Sequence, residues 1–229
     1  MLLRKKELIK LAITVYFVRH GQTYLNRYNR MQGWSDAPLT EKGIEDAKRV
    51  GKALSKVKFD YIFSSDLSRA VNTARLLLAA DPNTDLKEPI QEPAFREIFF
   101  GFFEGANGGA VADIVGGKYG YHTFSQMAAG WGTDELKDRI AKADQYGDAE
   151  DAERFWHRMD KGFDRLRNLP DNSVAVVVSH GAAIRSIADR YLEGVDQNVS
   201  PRNGSIMKMT LTDTDTHVDF YNQLHIPDK

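Results

Sequence analysis

Cysteine is absent from the 229 residues, which excludes a disulfide framework, a thiolate metal site and a thiol nucleophile. A charge bias is missing too. With 31 basic residues against 32 acidic ones the formal charge is −1, so no global field steers the chain toward nucleic acid or a membrane surface. No stretch approaches the ~18 uninterrupted apolar residues of a membrane span, and repeats and low-complexity tracts are lacking. What is present is ordinary for a globular protein: 42% hydrophobic and 28% charged residues. The length fits one large α/β domain over 1–229 with an ample core.

Residues 1–12 place Arg4, Lys5 and Lys6 before a short apolar stretch, but Glu7 and Lys10 interrupt it. No small-residue cleavage site precedes Ile13, so a short helical or frayed leader and a cytoplasmic protein are expected. The stretch from Ile13 onward organises the chain. Ile13 to Val18 has the length and the β-branched and aromatic content of a strand buried on both faces, and it ends in Arg19, His20 and Gly21. In an open α/β sheet, ligands gather at such carboxyl ends. A second strand of the same kind, Ser173 to Val178, ends in Ser179, His180 and Gly181. Parallel neighbouring strands would bring both imidazoles to one crevice.

Between these strands, 24–38 is polar and aperiodic, a long loop over the carboxyl edge of the sheet. Thr40 caps a helix with Ile44, Ala47, Val50 and Leu54 on one face. Tyr61 to Phe63 is a short strand. Ser64, Ser65 and Asp66 then read as helix-start residues, and the helix running to about Ala80 carries Arg69 in its first turn. A cation there opposes the helix dipole unless something anionic lies close by. The 89–95 stretch, bracketed by prolines, is an edge strand at best. In the run Arg96 to Gly105, Glu97 and Glu104 are interleaved with four phenylalanines. A glutamate against aromatic rings is a candidate proton donor with a raised pKa. For Glu104, followed by glycine, exposure to water or helix capping is expected instead.

About 107–147 is glycine-rich and poorly periodic, and reads as a partly helical cap over the site. A helix over 149–169 comes next, closed by Pro170, with His157 and its charged neighbours on the wet side. After His180 comes another helix with Ile184, Ile187 and Ala188. Ser205 to Leu211 and His217 to Tyr221 close the chain as a hairpin, with His217 and His225 facing solvent.

These residues suit one chemistry. Arg19, Arg69 and a protonated His180 can hold a phosphate dianion from several sides, which leaves a neutral His20 to attack phosphorus. Glu97 is the available acid for the leaving alkoxide. No step obliges a metal, because the cations are side chains. A metal site built on both histidines has no cysteine or closely spaced carboxylate to complete it.

The pattern as a whole resembles the histidine phosphatase superfamily, in its phosphoglycerate mutase-like branch. Arg19-His20-Gly21-Gln22-Thr23, Asn26 and the run Gln32 to Gly43 look like its signature. Ser64 to Ala70 with Thr73-Ala74, Arg96-Glu97 with Gly101 and Glu104-Gly105, and Ser179-His180-Gly181 match later blocks in order, over about residues 13 to 212. The resemblance implies a largely parallel sheet with helices on both faces and one antiparallel strand. It makes His20 the phosphorylated nucleophile, Glu97 the acid and then the base, and Arg19, Arg69 and His180 the phosphoryl-binding groups. It also places Asn26 on the phosphate or substrate, with Thr23 and the Gly181-Ala182 amides supporting the pocket. The expected partner is a small phosphorylated substrate, with no cofactor.

Mutases of this branch carry a cluster of adjacent basic residues in the cap for the substrate carboxylate. Here the cap has only scattered Lys118, Lys137, Arg139 and Lys142, and an aromatic load that suggests a partly apolar pocket. Hydrolysis of small monoesters is therefore expected over a bisphosphoglycerate-dependent mutase. The third alternative is a non-catalytic phospho-ligand or partner-binding module, whose usual mark, loss of a histidine or of the acid, is missing. Tyr28, Trp34, Phe99, Phe100, Phe102 and Trp131 are the candidates for lining the entrance.

Overall fold

A computed structural model describes residues 12–227, so the expected leader lies outside the described residues apart from Ala12. The apolar runs become a six-stranded sheet. Its strands are β1 (Ile13–Arg19), β2 (Tyr61–Ser64), β3 (Ile90–Gln91), β4 (Val174–Ser179), β5 (Ile206–Leu211) and β6 (Thr216–Gln223), in the order β3-β2-β4-β1-β5-β6. β1, β2, β3 and β4 pair in parallel, while β5 runs antiparallel to both β1 and β6. The two-residue β3 is the short edge that the flanking prolines allow.

Alternation in the strands divides the core in two. Val15 and Phe17 of β1 join Ala175 and Val177 of β4 in one cluster, while Tyr16 and Val18 join Val176 and Val178 in the other. Phe17 is fully buried and meets Phe95 and Phe163 edge-on at 5.9 and 6.4 Å. Truncation of such a side chain costs about 3–5 kcal/mol.

Helices cover both clusters. α1 (Tyr24–Arg27) is a single turn inside the expected 24–38 loop; a capping box of Thr23 and Asn26 creates it. α2 (Glu41–Leu54) starts at Thr40, whose hydroxyl accepts from the Gly43 amide at 3.1 Å. α3 (Ser68–Ala80) follows β2. The cap consists of α4 (Gly108–Gly116), α5 (Phe124–Trp131) and α6 (Thr133–Ala143), and the side chains of Asn107 and Thr123 cap the first two by accepting from the Ala110 and Gln126 amides. Glycines at 116, 117, 120, 130 and 132 break the sequence period here, yet Val111, Met127 and Ile140 belong to the same core cluster as Phe17. α7 (Ala152–Arg167) and α8 (Gly181–Tyr191) flank β4. Among the described residues, no helix is long and apolar enough to cross a membrane.

Register fixes the geometry that matters. β1 and β4 pair Val18 with Val178 and Arg19 with Ser179, so the next residue on each strand, His20 and His180, emerges at the same level.

Candidate active site

The two imidazoles face each other with ring centroids 5.2 Å apart, and both are buried. His20 Nδ1 lies 2.7 Å from the Gly21 carbonyl, which accepts its proton and leaves Nε2 with the lone pair. Arg69 Nε donates to that Nε2 at 3.2 Å. Burial, then the guanidinium charges of Arg69 and Arg19, hold the His20 pKa well below 6.5, so the ring is neutral at ordinary pH. The turn that presents it depends on two glycines: a Cβ on Gly21 would lie 2.1 Å from the Gly43 carbonyl oxygen, and one on Gly43 would lie 2.1 Å from that of Gln22. Only hydrogen atoms at both positions let the chain after β1 pass the start of α2 this closely.

His180 differs from the expected protonated donor. Burial and the neighbouring Arg69 lower its pKa well below 6.5, so it too is neutral. Ser65 Oγ lies 2.6 Å from its Nε2, and Nδ1 is buried with no partner among the described residues. The residues expected to start α3 therefore serve the site. Ser65 orients His180, and Asp66 is ion-paired with Arg96. The α3 N-terminus is served by Asp36, whose carboxylate accepts from the Ser68 amide and also from Arg69 Nη1 at 3.2 Å. Asp36 is the anion that the first-turn arginine requires. Arg69 is fully buried and also donates to the carbonyls of Ser35 and Gly33 at 2.9 and 2.6 Å, so its fork is fixed in place.

Arg19 reaches back to the Pro201 carbonyl, and its Nε is buried with no partner among the described residues. It lies over Gly181, where a Cβ would come within 3.0 Å of that Nε. The contribution of Gly181 is thus room for the guanidinium. The neighbouring Ala182 amide, expected to support the pocket, donates instead to Glu97 Oε2 at 2.9 Å. Glu97 Oε1 accepts from the Ala183 and Ile98 amides at 2.8 and 3.0 Å. These donors and the Arg69 charge favour the carboxylate, but burial outweighs them and raises the Glu97 pKa.

Asn26 lines the cavity, with its Oδ1 accepting from Asn203 at 3.2 Å and its Nδ2 donating to Gln32 at 3.2 Å. Thr23 is fully buried; its hydroxyl accepts from the Asn26 amide and donates to Gln32. It supports the pocket from behind, because both hydrogen-bonding roles of its hydroxyl are taken within the protein.

The cavity in front of these groups has a volume of about 380 Å³. Its apolar wall comes from Met31, Ile98, Phe100, Phe124, Leu136 and Ile140. Of the six aromatic residues expected at the entrance, Phe100 alone lines it; Trp34 packs on Phe99 at 4.9 Å, and Phe102 lies exposed beside Tyr146 at 5.6 Å. Phe124 was not among the candidates.

Glu104 is neither exposed nor a helix cap. It accepts from the Gly33, Trp34, Ser35 and Phe100 amides at 3.0 to 3.2 Å and pins the loop that carries Asp36. Arg158 departs from the expected wet side of α7: it donates to the carbonyls of Ala94, Arg96 and Glu97 and pairs with Glu150 at 2.8 Å, so it holds the segment bearing Glu97. Two groups escaped the sequence reading altogether: Arg185, and Asn203, which donates to the His20 carbonyl at 3.0 Å. Asp36 could have been found there, since it stands within the run Gln32 to Gly43 and α3 needs an anion.

Two neutral imidazoles across a cationic pocket, on adjoining parallel strands, accord with a family model described as histidine phosphatase superfamily (branch 1), which matches residues 15–224. The chain belongs to the histidine phosphatase superfamily. Within the superfamily it is 33% identical over 175 residues to a 2,3-bisphosphoglycerate-dependent phosphoglycerate mutase 2 of Gloeobacter violaceus, across 74% of this chain and 71% of the relative. A crystal structure of phosphoglycerate mutase from Bacillus anthracis str. Sterne is 31% identical, with a TM-score of 0.84 over 96% of each chain. The mycobacterial glucosyl-3-phosphoglycerate phosphatase shares the fold, with a TM-score of 0.65 at 23% identity over 92% of this chain and 98% of that one. Members of the superfamily are phosphatases, mutases and other phosphoryl transferases, and these relatives act on small phosphorylated molecules.

Proposed function

We propose that this protein is a metal-independent phosphatase that hydrolyses small phosphate monoesters through a phosphohistidine. The observation that carries the reading is a neutral His20, its Nδ1 proton held by the Gly21 carbonyl, with Nε2 beside Arg69 Nε and the ring facing His180. Nε2 attacks phosphorus while Arg19 and Arg69 neutralise the equatorial oxygens and the unpartnered Nδ1 of neutral His180, as its N–H, donates a hydrogen bond to one of them. The departing alkoxide takes a proton from Glu97. Oε2 is the oxygen to carry it, since it accepts one amide where Oε1 accepts two. Water then attacks the phosphohistidine, the Glu97 carboxylate takes up the water proton, and inorganic phosphate leaves.

Hydrolysis is favoured over mutase chemistry by the cap. A mutase must hold a bisphosphorylated intermediate in two orientations, which calls for free cations on the cap side. Here the cap wall is apolar, and its one cavity-lining cation among the described residues, Lys137, is already paired with Asp134 at 2.8 Å. The mutase reading draws its support from the relatives in Gloeobacter and Bacillus. Turnover of phenyl phosphate in the presence of a chelator, with an acid-labile phosphoprotein trapped on rapid quenching, is the expected result. Phosphate exchange between the hydroxyls of phosphoglycerate, faster than release of inorganic phosphate and stimulated by bisphosphoglycerate, would overturn it.

A further inference from the structure

Residues 96–100 belong to no helix or strand, yet Glu97 stands in this stretch with its carboxyl on the Ala182 and Ala183 amides. Irregular backbone has no ladder to hold it, and its buried carbonyls need donors from elsewhere. Here the donors are side chains. The Ala94, Arg96 and Glu97 carbonyls accept from Arg158 at 2.7, 3.0 and 3.1 Å. The Phe95 carbonyl accepts from Ser179 at 2.9 Å, and Trp34 gives the Glu97 carbonyl a second donor at 2.9 Å.

Arg158 is itself fixed. Its Nη1 serves two of those carbonyls and its Nη2 the third, while Nη2 and Nε reach the two carboxylate oxygens of Glu150 at 2.8 and 2.9 Å. Every N–H of the guanidinium is thereby engaged. Glu150 closes the arrangement on the other flank of Glu97: its Oε2 accepts from the Phe99 amide at 3.0 Å, and its own amide donates to the Phe99 carbonyl at 2.8 Å. A bidentate pair of this kind holds both partners to one orientation. The helix brings it close. Arg158 and Gly162 are one turn apart on α7, and a Cβ on Gly162 would come within 2.6 Å of the Phe95 ring. Neither Arg158 nor Glu150 is among the residues that line the cavity.

We propose that Arg158 and Glu150 are positioning residues for proton transfer: their pair sets the place of the 94–99 backbone, and through it the distance at which the Glu97 carboxyl meets the leaving oxygen. This rests on Glu97 being the acid, as proposed above. A misplacement of about 1 Å at a reacting group costs about 100-fold, whereas Arg19, Arg69 and His180 grip the phosphoryl group from other elements. Loss of the pair therefore harms esters according to their need for a proton donor. A pair that only stabilised the fold would affect every ester alike.

The test follows kcat/KM, which covers the steps through departure of the alcohol, for ethyl phosphate and 4-nitrophenyl phosphate. It uses the wild type, Arg158→Met, Arg158→Lys and Glu150→Gln, each also combined with Glu97→Gln. Arg158→Met is expected to lose about 100-fold on ethyl phosphate and less than about threefold on the nitrophenyl ester. Arg158→Lys keeps the charge without the fork; it and Glu150→Gln should lose about tenfold on ethyl phosphate, with the same bias. In the Glu97→Gln protein, Arg158→Met should add less than about threefold, because the effect runs through a carboxyl already removed. Should Arg158→Met not fold, the two milder variants carry the same comparisons. Equal losses on both esters, or losses that multiply in the double variant, overturn the proposal. The amide resonances of Ala182 and Ala183 give a readout without turnover, and are expected to move in Arg158→Met and Glu150→Gln toward their positions in Glu97→Ala. If they do so while neither ester is hydrolysed, the phosphatase reading fails and the positioning role stands. If they stay at their wild-type positions, the positioning role fails whatever the turnover.

Discussion

The floor of the site and its cap are built on opposite plans. On the floor, His20 and His180 each follow a largely buried strand, Arg69 stands in the first turn of the helix after β2, and the directions of three of the groups are set by backbone: the Gly21 carbonyl for His20, the Ser35 and Gly33 carbonyls for Arg69, the Ala182 and Ala183 amides for Glu97. In the cap, two short helices present apolar side chains to the same cavity, Phe124 from α5 and Leu136 and Ile140 from α6. Backbone contacts do not change when side chains are replaced, so the floor holds one chemistry. Side-chain walls change readily, so the cap sets which alcohol fits.

That contrast fails first if the floor tolerates substitution. His20→Ala is expected to lower turnover of phenyl phosphate by about 10⁴-fold or more and to abolish the trapped phosphoprotein; a variant that keeps wild-type turnover would end the mechanism. Glu97→Gln comes next, with an expected loss of about 10²- to 10³-fold in kcat for alkyl phosphates and a smaller one for nitrophenyl phosphate, whose leaving group needs no proton. Equal losses on both esters would remove Glu97 from the role of acid.

Smaller effects sharpen the boundary between the two regions. Asp36→Asn leaves Arg69 without its ion pair and should reduce kcat/KM by about tenfold, with a weaker apparent affinity for inorganic phosphate as the diagnostic. Phe124→Ala, in the cap, should alter KM for bulky monoesters by about three- to tenfold and move kcat less. A kcat effect as large as that of Asp36→Asn would mean that the cap is part of the chemistry.

Acid stability offers a further measure of the floor. His20 and His180 both titrate below their ordinary 6.5 in the native protein, so as pH falls the unfolded chain binds protons first. Their contribution is complete above about pH 6.5 and is lost below it, by up to about 1.4 kcal/mol per group for each pH unit. Glu97 has the opposite sign, since its raised pKa relieves a penalty on acidification through that pKa. Melting temperatures should fall from pH 7 to pH 5.5, and fall less in His180→Asn; identical profiles would show that His180 titrates normally.

Much of the floor was legible because its signals are local. A buried strand announces itself by a run such as Val174 to Val178, and a histidine at its end needs only a parallel neighbour to meet its counterpart. The cap was less legible: glycines interrupt its periodicity, and its apolar residues show their purpose only when stacked on the Phe17 cluster. Glu104 and Arg158 were misplaced for a related reason. A charged residue among glycines, or on the apparent outer face of a helix, looks solvated until loops distant in the chain bring backbone amides or carbonyls to it.

The sequence by itself determined the alternation of strands and helices, the pair of histidines at two strand ends, and the candidate set of Arg19, His20, Arg69, Glu97 and His180, since each depends on residue type and short-range period. Tertiary structure alone decided that both imidazoles are neutral, that Asp36 and Arg158 serve the site, and that Arg185 stands buried in its wall. Burial and charge proximity are properties of the folded chain: they arise from segments brought together across the sheet, and no local pattern encodes them.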